Sequence, residues 1–166
     1  MNEETMKSCI IYYSYEGNTK VIADTLAGSL GCDVFRIEPK KAFNSKGLMK
    51  FVWGGKQAMM KEKPELLPFD FDLNQYDSVI IGSPVWSWTI APAIRTLCED
   101  YLKHKDVFLF YTHEGGDQGV ISKAKELLEK DNRLLETQGF LNVLKNQETN
   151  MKCAQEWAKK IKVNLK

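Results

Sequence analysis

The chain reads as an α/β protein: a doubly wound, three-layer αβα sandwich on a five-stranded parallel sheet. Three observations carry that reading. Strand-like and helix-like segments alternate along the 166 residues, which implies parallel pairing through helical crossovers. The runs Val79-Ile80-Ile81-Gly82 and Val107-Phe108-Leu109-Phe110-Tyr111 are apolar without interruption, as strands covered on both faces must be. Right-handed crossovers then leave few other windings for five strands in a chain of this length.

Residues 7–14 form the first strand. The first helix follows over 18–30, with Ile22, Leu26 and Leu30 on one face and Gly31 as its stop. A short second strand, Cys32–Glu38, precedes Pro39. Residues 40–77 exceed what a compact βαβ unit needs. There Leu48, Val52 and Met59 suggest a helix packed through Trp53 and the Met59-Met60 pair, bent at Gly54-Gly55, where each glycine costs about 1 kcal/mol. After the third strand at 79–82, Pro92 suits the first turn of a helix whose Ile94, Leu97, Cys98 and Tyr101 fall at i, i+3, i+4 and i+7. The fourth strand is 107–111. Ser122–Lys130 is a helix carrying Ala124, Leu127 and Leu128, Gly139–Leu144 is the fifth strand, and the last helix aligns Met151, Ala154, Ala158 and Ile161.

A hydrophobic content of 43% with 11% aromatics suits one globular domain over residues 1–166. The net charge of +1 argues neither for a nucleic-acid partner nor for an acidic carrier, and no nucleic-acid partner is expected. Cations concentrate between Arg36 and Lys63, so the remainder is net acidic; the basic segment reads either as a solvated lysine face or as a guide for an anionic partner or nucleotide phosphate. Cys9, Cys32, Cys98 and Cys153 are scattered without a CxxC pair or a histidine at ligand spacing, which supports neither a zinc site nor a thioredoxin-like pair. They read as small hydrophobes of a reducing compartment. Met1–Thr5 is acidic and no run reaches the ~18 apolar residues of a bilayer span, so the expectation is a cytoplasmic protein without a membrane span.

Three candidate loops lie where such a sheet places its ligands, beyond the carboxyl ends of the strands. Ser14-Tyr15-Glu16-Gly17-Asn18-Thr19 joins a strand to a helix. Its hydroxyls and backbone N–H groups suit an anion at the positive end of that helix, although Gly17 with an Asn18 or Thr19 cap also describes a plain turn. Ser83-Pro84-Val85-Trp86-Ser87-Trp88-Thr89 puts two indoles after a buried strand, a stacking surface for a flat heteroaromatic or a packing surface for a neighbouring loop or subunit. Thr112-His113-Glu114-Gly115-Gly116-Asp117-Gln118-Gly119 would let backbone amides approach a ligand edge, with Glu114 and Asp117 setting local charge. Together they describe a site for a phosphorylated planar cofactor.

These loops resemble those of the flavodoxin family. Ser14, Gly17, Asn18 and Thr19 match its hydroxyl-x-Thr-Gly-Asn-Thr signature, Gly82-Ser83-Pro84-Val85-Trp86 resembles its second flavin loop, and 112–119 its third. The resemblance covers nearly the whole chain. It implies the strand order 2-1-3-4-5 and non-covalent FMN, in a family that itself illustrates the switch-point rule. The phosphate would sit on Ser14, Tyr15, Glu16, Gly17, Asn18 and Thr19. The ring would lie between Ser83, Pro84, Val85, Trp86, Ser87 and Trp88 on one side and Thr112, His113, Glu114, Gly115, Gly116 and Gly119 on the other. Glu16 departs from the pattern by replacing a hydroxyl residue. The near-neutral charge also departs from the acidic surface common among flavodoxin electron carriers.

The resemblance implies a redox protein whose flavin does the chemistry, with no residue of the chain as nucleophile and no metal. Its partner would be a redox protein or a small-molecule electron acceptor, the chain acting as monomer or homodimer. An NAD(P)H-dependent FMN quinone or small-molecule reductase is the alternative, favoured by the basic segment if that lies near the flavin. A flavin-free binding module is a further one. Receiver-type signalling domains share the winding, but need acidic residues where this chain has Tyr12-Tyr13-Ser14 and Gly82-Ser83.

Overall fold

The computed structural model of the chain describes residues 6–41 and 62–166. The helix expected around Leu48, Val52 and Met59, with Trp53, Gly54-Gly55 and Met60, lies outside the described residues. The elements are β1 (Ser8–Tyr12), α1 (Asn18–Leu30), β2 (Asp33–Arg36), β3 (Ser78–Trp86), β4 (Thr89–Ile90), α2 (Pro92–Thr96), β5 (Asp106–His113), α3 (Val120–Leu128), β6 (Arg133–Leu141) and α4 (Gln147–Asn164).

The sheet runs β2-β1-β3-β5-β6 with every one of these neighbours parallel. That is the expected winding. The two-residue β4, which falls partly within the expected loop 83–89, pairs antiparallel with the end of β3 and gives the sheet a sixth strand.

Alternation along β1 divides the core. Cys9 and Ile11 join Val79, Ile81, Val107 and Leu109 on the face covered by α2 and α3, while Ile10 and Tyr12 join Ile80, Phe108 and Phe110 beneath α1 and α4. All these side chains are buried, which is why the central strands show no polar alternation. Gly82 belongs to this close packing: a Cβ there would lie 2.1 Å from Cζ of Phe110, its register partner on β5.

Two expectations shift. The fifth strand occupies Arg133–Leu141 rather than Gly139–Leu144. It is an edge strand, half-buried through Glu136, Thr137 and Gln138, so it lacks the apolar run by which the central strands are recognised. Tyr101 leaves the buried face predicted for the helix after Pro92 and is 46% exposed. The chain widens into a π-helical turn over Leu97–Tyr101, and the wider turn rotates Tyr101 outward against the Phe69 ring at 5.1 Å. Helix α1 ends as predicted at Gly31, whose left-handed backbone (φ 67°) lets its N–H return to the carbonyl of Ala27 at 2.8 Å. The four thiols are free; Cys9 and Cys98 are buried, and Cys153 is exposed. No helix among the described residues is long and apolar enough to cross a membrane.

Candidate functional site

The parallel winding brings the carboxyl ends of β1, β3 and β5 together, and a cleft of about 410 Å³ opens there. All but Gly17, Ser83 and Gly119 of the residues nominated from the sequence line it.

The first wall is the turn from β1 into α1. Gly17 takes a left-handed conformation (φ 103°) at the N-cap, which turns the chain sharply enough for Ser14 Oγ to accept from the N–H groups of Gly17 (3.2 Å) and Lys20 (3.3 Å). Gly17 therefore shapes the turn from behind the lining. Arg36, on β2, donates from Nη2 to the Ser14 carbonyl at 2.9 Å and pins the turn from the neighbouring strand. The hydroxyls of Thr19 and Thr112 pair at 2.8 Å and are buried, which ties the first loop to the third. Asn18 Oδ1 accepts the Leu144 N–H at 3.0 Å. The rim so formed stands on the positive end of a helix whose first N–H groups have no carbonyl partner within it.

The second wall is a hairpin. With Val85 opposite Ile90 and Trp86 opposite Thr89, only Ser87 and Trp88 remain for the turn, and both have positive φ (48° and 59°). Such a turn prefers Asn-Gly, because a side chain in the left-handed region costs about 1–2 kcal/mol per residue. Strain of this kind concentrates at ligand sites. The two indoles, expected as a pair, separate. Trp86 packs edge-on against Tyr13 (5.8 Å) and Tyr15 (6.0 Å), while Trp88 is 51% exposed with its Nε1 beside Gly116. Ser83 turns inward, its hydroxyl accepting the Ala91 N–H and donating to the Pro84 carbonyl, both at 2.9 Å. It fixes the base of the hairpin to the start of α2.

The third wall runs from Thr112 to Gly116. Gly115 and Gly116 have positive φ (112° and 73°), and a Cβ on Gly116 would lie 3.2 Å from Trp88 Nε1, so the glycine lets the second and third walls touch. Gly119 caps α3 away from the lining. Asp117 receives the Tyr111 hydroxyl at 3.4 Å and lies 3.8 Å from His113 Nε2. Burial, and secondarily the Asp117 carboxylate, push the Tyr111 phenol up from its ordinary value. Among the described residues, no group of three or more His, Cys, Asp or Glu side chains is placed to hold a metal ion.

What the sequence reading missed is the bracing. Arg36 and the Thr19–Thr112 pair join residues 22 and 93 positions apart, and no local pattern signals such partners.

Known proteins align with this architecture. The family model described as Flavodoxin matches residues 7–161. A flavoprotein of Lactobacillus acidophilus, crystallised in complex with FMN, is 25% identical with a TM-score of 0.69, over 81% of this chain and 93% of that one. A flavoprotein of Bacteroides eggerthii is 22% identical with a TM-score of 0.73, over 93% and 96%. One of Bacteroides uniformis is 18% identical with a TM-score of 0.77, over 94% and 99%. The chain matches none of the curated protein sequences compared with it.

Proposed function

The chain belongs to the flavodoxin family, and from that premise we propose that it is a redox protein holding FMN non-covalently in the cleft. The observation that carries this reading is the convergence of three distant segments on one opening of about 410 Å³. That volume suits a small-molecule site. Its chemistry suits a phosphorylated ring: a helix N-terminus with hydroxyls at one end, an open indole and glycine backbone at the other.

Ser14, Tyr15, Glu16, Asn18 and Thr19 would hold the phosphate, with Gly17 shaping the turn behind them. Ser14 does so by order rather than by contact alone, since its oxygen already gathers two N–H groups and keeps the turn curved around the anion. Thr19 shares its hydroxyl with Thr112, which keeps phosphate and ring ends at one separation. Pro84, Val85, Trp86, Ser87 and Trp88 would face the ring from one side, and Thr112, His113, Glu114, Gly115 and Gly116 from the other; Ser83 and Gly119 support these walls. Trp88, half exposed at the rim, would cover one part of the ring and exclude water over that area. FMN, when bound, supplies the electron-accepting and electron-donating chemistry; the chain binds, orients and tunes it. Electrons would pass to a redox protein or small-molecule acceptor.

Titration of the refolded, flavin-free protein with FMN tests the reading. Stoichiometric quenching of flavin fluorescence and a yellow protein fraction after desalting are expected. A colourless fraction and unquenched FMN would refute the cofactor assignment.

A further inference from the structure

One residue of the third wall carries polar atoms that holding the ring does not use. His113 closes β5 and lines the cleft with its side chain 13% exposed. Its Nε2 faces Asp117 at 3.8 Å, and its Nδ1 is buried without a hydrogen-bond partner. Beside it, Asn142 donates its N–H to the His113 carbonyl at 2.8 Å, and the Asn142 Oδ1 is a second buried atom without a partner. Asp117 thus offers the imidazole a carboxylate on its Nε2 side, while Nδ1 keeps a buried position that no acceptor fills. A neutral imidazole has one N–H to offer; the cation has two.

The charge of the surroundings points the same way. Near the ring stand Tyr111 from β5 and Glu114 and Asp117 from the loop, with neutral Asn142 after β6 on its backbone; Glu16 lines the same cleft. The described lining residues include no Lys or Arg. Among the described lining residues, His113 is the side chain that answers arriving negative charge by becoming a cation, and imidazole is the group whose ordinary charge change falls in the neutral range.

The geometry points to His113 as a proton acceptor that becomes charged when the bound cofactor is reduced, with Asp117 as the residue that positions it. This rests on the FMN reading above. With dithionite as reductant, itself oxidised to sulfite, bound FMN would take up two electrons and one proton from water, a gain of one negative charge. A second proton from solvent goes to His113, so the site takes up two electrons and two protons and its net charge is unchanged. By linkage, the same proton makes the potential depend on pH.

The test uses the FMN-loaded protein, with loading verified by its visible band. The chain has two histidines, and His104, at the opposite end of β5, is an internal reference for ring NMR. At pH 7, reduction by dithionite is expected to move the His113 ring resonances to the protonated position and leave those of His104 in place. The two-electron potential should fall with pH more steeply than in His113→Gln, by up to about 30 mV per pH unit, one tenfold change in proton activity per unit for one extra proton. Asp117→Asn should leave part of His113 uncharged after reduction; full protonation in that variant would overturn the role given to Asp117. Unmoved His113 resonances in a protein that binds and reduces FMN, or equal slopes in both proteins, would overturn the inference and leave the FMN reading standing. Absence of the visible band would overturn both.

Discussion

Replacing Ser14 by Ala removes one oxygen from a buried position, and that oxygen accepts two backbone N–H groups. Both bonds are long (3.2 and 3.3 Å), so each belongs at the weaker end of the usual 0.5–1.5 kcal/mol. Together they predict a loss of about 1–2 kcal/mol, in the range of a deleted helix cap. In urea, with a slope of roughly 1–3 kcal/mol per molar, the unfolding midpoint should fall by about 0.3–2 M. Ligand binding supplies the sharper readout. With the turn no longer curved by Ser14, FMN affinity should fall at least about tenfold, the equivalent of 1.4 kcal/mol, whereas riboflavin, which has no phosphate, should keep its affinity within about twofold. Fluorescence titrations with both flavins measure this directly. Equal weakening of the two would refute the assignment of the phosphate to this turn, and an unchanged urea midpoint would refute the organising role of the Ser14 hydroxyl.

Glu16→Thr removes a carboxylate from the phosphate wall and should tighten FMN by roughly fivefold, about 1 kcal/mol for like charges near the surface, with the gain shrinking in high salt; unchanged or weaker affinity would give the carboxylate a positive role. Gly82→Ala forces a Cβ into the Phe110 ring and should cost about 3 kcal/mol or more, yet far less in a Phe110→Leu background; additive denaturation free energies for the pair would contradict the packing argument. Burial pushes the Cys98 thiol from an ordinary value of 9.0 up to about 12 and the Tyr13 phenol from 10.0 up to about 12. Both must stay protonated in the folded state, so their contribution is complete below pH 9 and lost as pH rises towards 12; a flat stability profile from pH 8 to 11.5 would be inconsistent with that burial. Ellman's reagent should modify exposed Cys153 in the native protein and reach Cys9 and Cys98 only on unfolding.

The sequence by itself determined the winding and the location of the site. Central strands buried on both faces must be apolar throughout, so β3 and β5 declared themselves. A helix stop needs a left-handed residue, so Gly31 did too. Loops after such strands lie on one edge by topology, which is why residues as distant as Ser14, Trp88 and Gly116 were nominated together. Edge strand β6 was misplaced because half-buried backbone carries no apolar run. Tyr101 was misassigned because helical periodicity presumes 3.6 residues per turn, which the π-helical turn violates. The tertiary structure alone decided how the walls are held: the Thr19–Thr112 hydroxyl pair, Arg36 on the Ser14 carbonyl, the division of labour between Trp86 and Trp88, and the unsatisfied His113 ring. These are contacts between residues far apart in sequence. Their energy depends on distance and burial, and neither exists until the chain has folded.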